Sequence, residues 1–314
     1  MPEKNPLPKG IVPLLDTPFD EGGAIDFESS ARLIEDVIQG GVHGLWAPLV
    51  ASEVHALSFE ERVDLVTFAA QTIRHRVPFI VGASSEKAED CRRFAVLAEK
   101  VEAEAYLVAV PPALYGHPQD ILSYFQTVAA GISTPLVIQD LEWNGPGLDI
   151  ATIERLREAL PSLAGLKIET VPAGPKYTLV RNALGKDFYV SGGWAIPHLI
   201  EALDRGVDAM VPEGAMVRVF VAIYRAYTHG RRDEAVKIFR RLVPVLILSN
   251  SEINQSIAFL KRLIVRKGIF KSATTRPPGY HWDAYNLRIA DELIAYYLDL
   301  EREIAGPNYP HLQT

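Results

Sequence analysis

Eight times in its first 230 residues, this chain passes from a short apolar, β-branched run to a longer segment of helical period. "GIVPLLDTPF" precedes "DFESSARLIEDVIQGG", and "GLWAPL" precedes "SFEERVDLVTFAAQTIR". "PFIVGAS", "AYLVAVP", "PLVIQDL", "LAGLKIE", "FYVSGGW" and "AMVPEG" each introduce a further helical segment. The runs are continuously apolar, the pattern of parallel strands covered on both faces. Eight strand–helix units in this length predict an α/β fold, the (β/α)8 TIM barrel. A doubly wound sheet alternates in a similar way, but the GxGxxG turn of a dinucleotide site is absent after the first strand. Local signals mark the helix ends. Asp26 is placed to cap the first helix, Gly40–Gly41 to stop it, and Ser58 with Glu61 has capping-box spacing before the second.

Beyond residue 230 the period is helical throughout, with three further helices and no strand candidate. Pro244 is expected to kink or break the first of them. The expected organisation is therefore a barrel over 1–230 and a C-terminal helical region over 231–314. A net charge of −7 disfavours nucleic acid as a partner. The single cysteine, Cys91, allows neither an intrachain disulfide nor a CxxC pair. No run approaches ~18 consecutive apolar residues, and the proline-rich N-terminus has no apolar signal core. A cytoplasmic protein without membrane association is expected. The chain shows no histidine-rich ligand set, so no metal is expected.

Chemistry in such a barrel sits where strands end and their following loops begin. That rule selects Asp16, Thr17, Ser52, Glu53, Ser84, Ser85, Glu86, Tyr115, His117, Gln139, Asp140, Glu142, Lys167, Glu169, Ser191, Gly192, Gly193 and Glu213. Of the eleven lysines, Lys167 alone falls inside a predicted strand. Side chains alternate along a strand, so Gly165, Lys167 and Glu169 share one face. Two readings of Lys167 follow from periodicity. It is an ion-pair partner of Glu169 or another carboxylate, or it is a nucleophile, since desolvation favours the neutral amine that attacks carbonyl groups.

Several segments resemble the dihydrodipicolinate synthase/N-acetylneuraminate lyase family. They are "GIVPLLDTPFDEGGAIDFES", "ASEVHALSFEER", "VAVPP", "GLKIE" and "SGGWAIPHLIEALDRGVDAMVPEGAMV", in family order from about residue 10 to 278. The resemblance implies class I aldolase chemistry: Lys167 forms a Schiff base with pyruvate or another 2-oxo acid, without a cofactor. It also implies a homo-oligomer, a dimer or tetramer. The departures are specific. Val50 and Ala51 stand where the family has two threonines, and Gln139 stands where it has a tyrosine. No arginine follows the fifth strand, where Trp143 and Asn144 stand, which argues against dihydrodipicolinate synthase activity itself.

Glutamine does not transfer protons near neutral pH, so other groups must. Asp140 and Glu169 are the expected proton-transfer partners of Lys167. Ala51, Ser52, Gln139, Tyr115, Gly192 and Gly193 are expected to bind the substrate. The leading reading is a Schiff-base lyase or aldolase acting on a 2-oxo acid. The alternative is a protein on the same fold that binds or senses such an acid without turning it over.

Overall fold

The computed structural model describes residues 7–194 and 196–306. Eight strands alternate with helices in the predicted order: β1 (Gly10–Ile11), α1 (Phe27–Gln39), β2 (Leu45–Ala47), α2 (Phe59–Ile73), β3 (Phe79–Gly82), α3 (Ala88–Lys100), β4 (Ala105–Ala109) and α4 (Pro118–Ala129). They continue with β5 (Leu136–Asp140), α5 (Ile150–Ala159), β6 (Leu163–Ile168), α6 (Ala173–Leu184), β7 (Tyr189–Gly192), α7 (Leu199–Asp204), β8 (Ala209–Met210) and α8 (Val217–Thr228). The C-terminal helices are α9 (Arg232–Ser249), α10 (Ile253–Arg266) and α11 (Ala284–Ala305). This is a (β/α)8 barrel with a C-terminal helical extension.

By packing, the chain divides into two compact units. The first holds residues up to Val12, His43–Ala47 and Val77–Val211, and so contains all eight strands and α3 to α7. Its sheet runs β1-β8-β7-β6-β5-β4-β3-β2, with every adjacent pair parallel. The two ends of that order meet at His43. Its backbone N–H donates to Ile11 O at 2.9 Å, and its Nδ1 accepts from the Ile11 N–H at 3.2 Å. Gly10 makes room for that ring. A Cβ there would lie 2.7 Å from His43 Nδ1, and its φ of +118° is one that side chains rarely adopt.

Register fixes which residues share a face. Ala109, Gln139, Lys167, Ser191 and Ala209 are successive partners across β4 to β8, so their side chains project to one side. Asp140, Ile168, Gly192 and Met210 form the next row and project to the other. Asp140 pairs there with Lys176 of α6, and Gly192 lies beneath the Tyr177 ring of α6. The second row is thus the helix side, and the row containing Lys167 faces the lumen.

The second unit holds Pro13–Val42, Pro48–Arg76 and the chain from Pro212 on, which includes α1, α2 and α8 to α11. Residue 230 is no packing boundary, because α8 and α9 on either side of it belong to this one unit. The predicted caps form: Asp26 accepts from the Ser29 N–H at 3.1 Å, and Ser58 and Glu61 exchange reciprocal bonds. Pro244, however, lies inside α9 without ending it. Leu242, Val245 and Leu246 around it are buried. Burying each side chain is worth ~1.5–3 kcal/mol, enough together to outweigh the ~3 kcal/mol cost of an interior proline.

Candidate active site

Four lysines of the described chain are buried: Lys167, Lys176, Lys261 and Lys267. Burial alone therefore singles out none of them, and each has an anionic partner. Lys176 pairs with Asp140, Lys261 with Glu53, and Lys267 with Glu301 and Asp36. Lys167 differs in position. It stands on β6, one residue from the strand's C-terminal end, and is 3% exposed on the lumen face.

Its ammonium nitrogen lies 2.7 Å from Glu169 Oε2. That oxygen also accepts from the Gln139 side-chain amide, and Oε1 accepts from the Trp194 backbone N–H at 2.7 Å. Glu169 thus gathers three donors from three consecutive strand segments, and both its oxygens are fixed. Gly193 closes the arrangement. A Cβ at that position would come 2.8 Å from Lys167 Nζ and 2.9 Å from Cε, and would overlap Glu169 Oε1. Ser191, in the same row, donates weakly to Leu166 O at 3.4 Å. The structure thus brings Lys167, Glu169, Gln139 and Gly193 together.

Asp140 is not with them. One residue along from Gln139, it faces the helix layer, where its Oδ1 accepts from Tyr115 Oη and the Leu148 N–H, each at 3.0 Å. Lys176 pairs with its other oxygen and also donates to Pro146 O. The expectation that Asp140 shares proton transfer with Lys167 fails for this geometric reason: strand alternation puts consecutive residues on opposite faces. Burial pushes the Asp140 carboxyl up, and Lys176 pulls it back. Tyr115 follows Asp140 to that side. Its burial, with the adjacent carboxylate, raises the phenol far above its ordinary value, so it keeps its proton. Gly192 serves helix packing, because a Cβ there would meet the Tyr177 side chain.

Ala51 and Ser52 belong to the second unit and form a short 3-10 turn, Val50–Ser52. The Ser52 hydroxyl is occupied by the backbone, donating to Leu15 O at 2.6 Å and accepting from the Leu49 N–H at 3.0 Å. The same unit buries Asp16, neither of whose oxygens finds a donor among the described residues. Burial first, and Glu213 next, push its carboxyl up to about 8, against the pull of Lys261.

Two contacts at this site depend on tertiary structure. The Trp194 N–H contact with Glu169 depends on how the loop after β7 turns. Trp143, after β5, meets Trp194 with ring centroids 4.5 Å apart and planes at 67°. Lys176 was also missed, since a helical lysine reads as solvated until its partner is placed.

Known proteins are similar to this chain in fold and sequence. The 4-hydroxy-tetrahydrodipicolinate synthase of Bartonella quintana is 29% identical over 243 residues, covering 76% of this chain and 81% of that protein. The L-2-keto-3-deoxyarabonate dehydratase of Azospirillum brasilense is 29% identical over 283 residues, covering 87% and 89%. A prophage protein of the dihydrodipicolinic acid synthase family from E. coli K12, solved in complex with pyruvate, superposes with a TM-score of 0.83. It is 23% identical and covers 93% of this chain and 99% of that one. The Dihydrodipicolinate synthetase family itself matches residues 7–288, nearly the whole of the chain, and the chain belongs to that family.

Proposed function

We propose that this protein is a Schiff-base lyase acting on a 2-oxo acid, with Lys167 as nucleophile and Glu169 as its proton-transfer partner. The observation that carries this reading is the lumen contact of 2.7 Å between Lys167 Nζ and a Glu169 carboxylate fixed by Gln139 and the Trp194 N–H. General acid–base catalysis requires such reach. Lys167 gives a proton to Glu169, and the free amine adds to the ketone carbon as a second nitrogen proton passes to the carbonyl oxygen, giving a carbinolamine. Glu169 returns the proton to the departing hydroxyl, so water leaves and a protonated imine remains. The imine draws electrons from the adjacent carbon, which allows a carbon–carbon or carbon–oxygen bond one position further on to break. Gln139, at the position of the family's tyrosine, orients Glu169 rather than moving a proton itself.

Borohydride reduction in the presence of pyruvate is expected to fix a mass increment on the peptide containing Lys167, and none in Lys167→Ala. Glu169→Gln keeps the side chain's shape but cannot accept the proton. It is expected to slow adduct formation by ~10²-fold or more and to flatten its pH profile. No adduct across a panel of 2-oxo acids would overturn the reading.

A second reading is favoured by Gln139 itself and by Tyr115, whose hydroxyl is turned to Asp140. It is a protein that binds a 2-oxo acid without turnover. It predicts thermal stabilisation by the ligand, and measurable carbon–carbon cleavage or dehydration rules it out.

A further inference from the structure

We infer that Trp143 and Trp194 form the recognition corner for the part of the substrate beyond the carbonyl, and that this part is an uncharged aryl group. The inference rests on the lysine chemistry proposed above and adds the substrate class. Its first support is connectivity. The Trp194 N–H is bonded to Glu169, the carboxylate that contacts Lys167, and its neighbour Gly193 packs against the amine. The Trp143 ring then meets the Trp194 ring at 67°. Two indole faces at that angle suit a third ring, which stacks on one and presents its edge to the other.

The second support is that the loop carrying Trp143 is pinned. "LEWNGPGLD", residues 141–149, is a sequence that would otherwise be mobile, yet it is tied at three points. The Leu148 N–H donates to Asp140 at 3.0 Å, the Gly147 N–H to Glu142 at 2.6 Å, and Lys176 donates to Pro146 O. Rings held on anchored backbone can discriminate by shape, because little ordering remains to be done on binding. Both indoles are also only partly buried, whereas Trp46 is fully enclosed in the core. Core packing therefore leaves indole surface over.

Charge decides the class of arm. Residues 139–149 and 191–198 contain no lysine or arginine, and Lys167 and Lys176 are each paired with a carboxylate. An arm ending in a second carboxylate finds no cation on these segments. A polyhydroxylated arm would set hydroxyls against indole faces, and unpaired buried hydroxyls are costly. An aryl arm carries neither penalty.

The reaction that tests this is retro-aldol cleavage of a 4-aryl-4-hydroxy-2-oxobutanoate. In it, the bond between the carbons next to and once removed from the imine breaks. The aryl carbinol carbon becomes an aldehyde as its hydroxyl gives a proton to Glu169, and the electron pair stays with the imine-derived enamine, which takes that proton back at carbon and is hydrolysed by water to pyruvate. The full-length protein is given the phenyl compound and, separately, its analogue with a dihydroxyethyl arm, and aldehyde release is followed. A preference of ~10-fold or more in kcat/KM for the phenyl arm is expected. That ratio should fall toward unity in Trp143→Ala and be largely restored in Trp143→Phe. The comparison on the unaltered protein stands even if a variant does not fold. Equal or reversed preference, with pyruvate still trapped on Lys167, overturns the aryl assignment and leaves the lysine chemistry intact. Absence of any trapped adduct overturns both.

Discussion

At the scale of single residues, the reactive centre depends on a side chain that is not there. Gly193 lets Lys167 Cε and Nζ lie where a Cβ would be within 2.9 Å and 2.8 Å. The neighbouring backbone cannot yield easily, because the Trp194 N–H is engaged with Glu169. Gly193→Ala is therefore expected to push the amine off its position. Displacement of about 1 Å at a reacting group can cost ~10²-fold in rate, so borohydride-trapped adduct should form at least that much more slowly. Circular dichroism should show the fold retained, and an unchanged trapping rate would refute the steric argument. Lys167 itself was legible as an anomaly in an apolar run. Its partner Glu169 was legible too, because alternation puts residues 167 and 169 on one face. The same rule, applied to residues 139 and 140, separates Gln139 from Asp140. Asp140 therefore faces away from Lys167.

At the scale of elements, the segment between β5 and α5 is held against α6 by a buried ion pair. Asp140 is fully enclosed, and Lys176 is nearly so. Lys176→Met would leave a buried carboxylate with only the Tyr115 hydroxyl and the Leu148 N–H as donors. Removing one partner of such a pair costs ~3–5 kcal/mol. The variant should unfold at correspondingly lower urea, and its Trp143 loop should be cleaved sooner by protease. Adding Asp140→Asn is expected to recover part of the loss, because the unpaired charge is then gone. Strand and helix positions were readable along the whole barrel, since each apolar run and each cap is a local signal. The ion pair was not, because residues 140 and 176 meet only once β5 and α6 pack. Pro244 shows the converse, a local breaking signal overruled by burial of the residues around it.

At the scale of the whole molecule, the buried charges make stability depend on pH. Asp16 rises from 3.8 to about 8 on folding, chiefly through burial and then through Glu213, while Glu53 adds and Lys261 opposes. Between those values the native state holds a proton that the unfolded chain has released. Stability therefore falls as pH rises through that window, by up to about 1.4 kcal/mol per pH unit, and the loss is complete above about 8. Lys261, pushed below its ordinary 10.5 mainly by burial, acts with the opposite sign on the alkaline side. Asp16→Asn should flatten the acid-to-neutral decline in urea midpoint, and a slope unchanged from the parent protein would refute the assignment. By itself the sequence determined the barrel, its strand order and the identity of the anomalous lysine, because apolar period, capping residues and chain alternation act over a few neighbours. The tertiary structure alone decided that Glu169 gathers Lys167, Gln139 and the Trp194 N–H, that Asp140 is paired with Lys176, and that two tryptophans meet. Those contacts join residues from different strands and loops, and their cost or benefit exists only once water has been excluded between them.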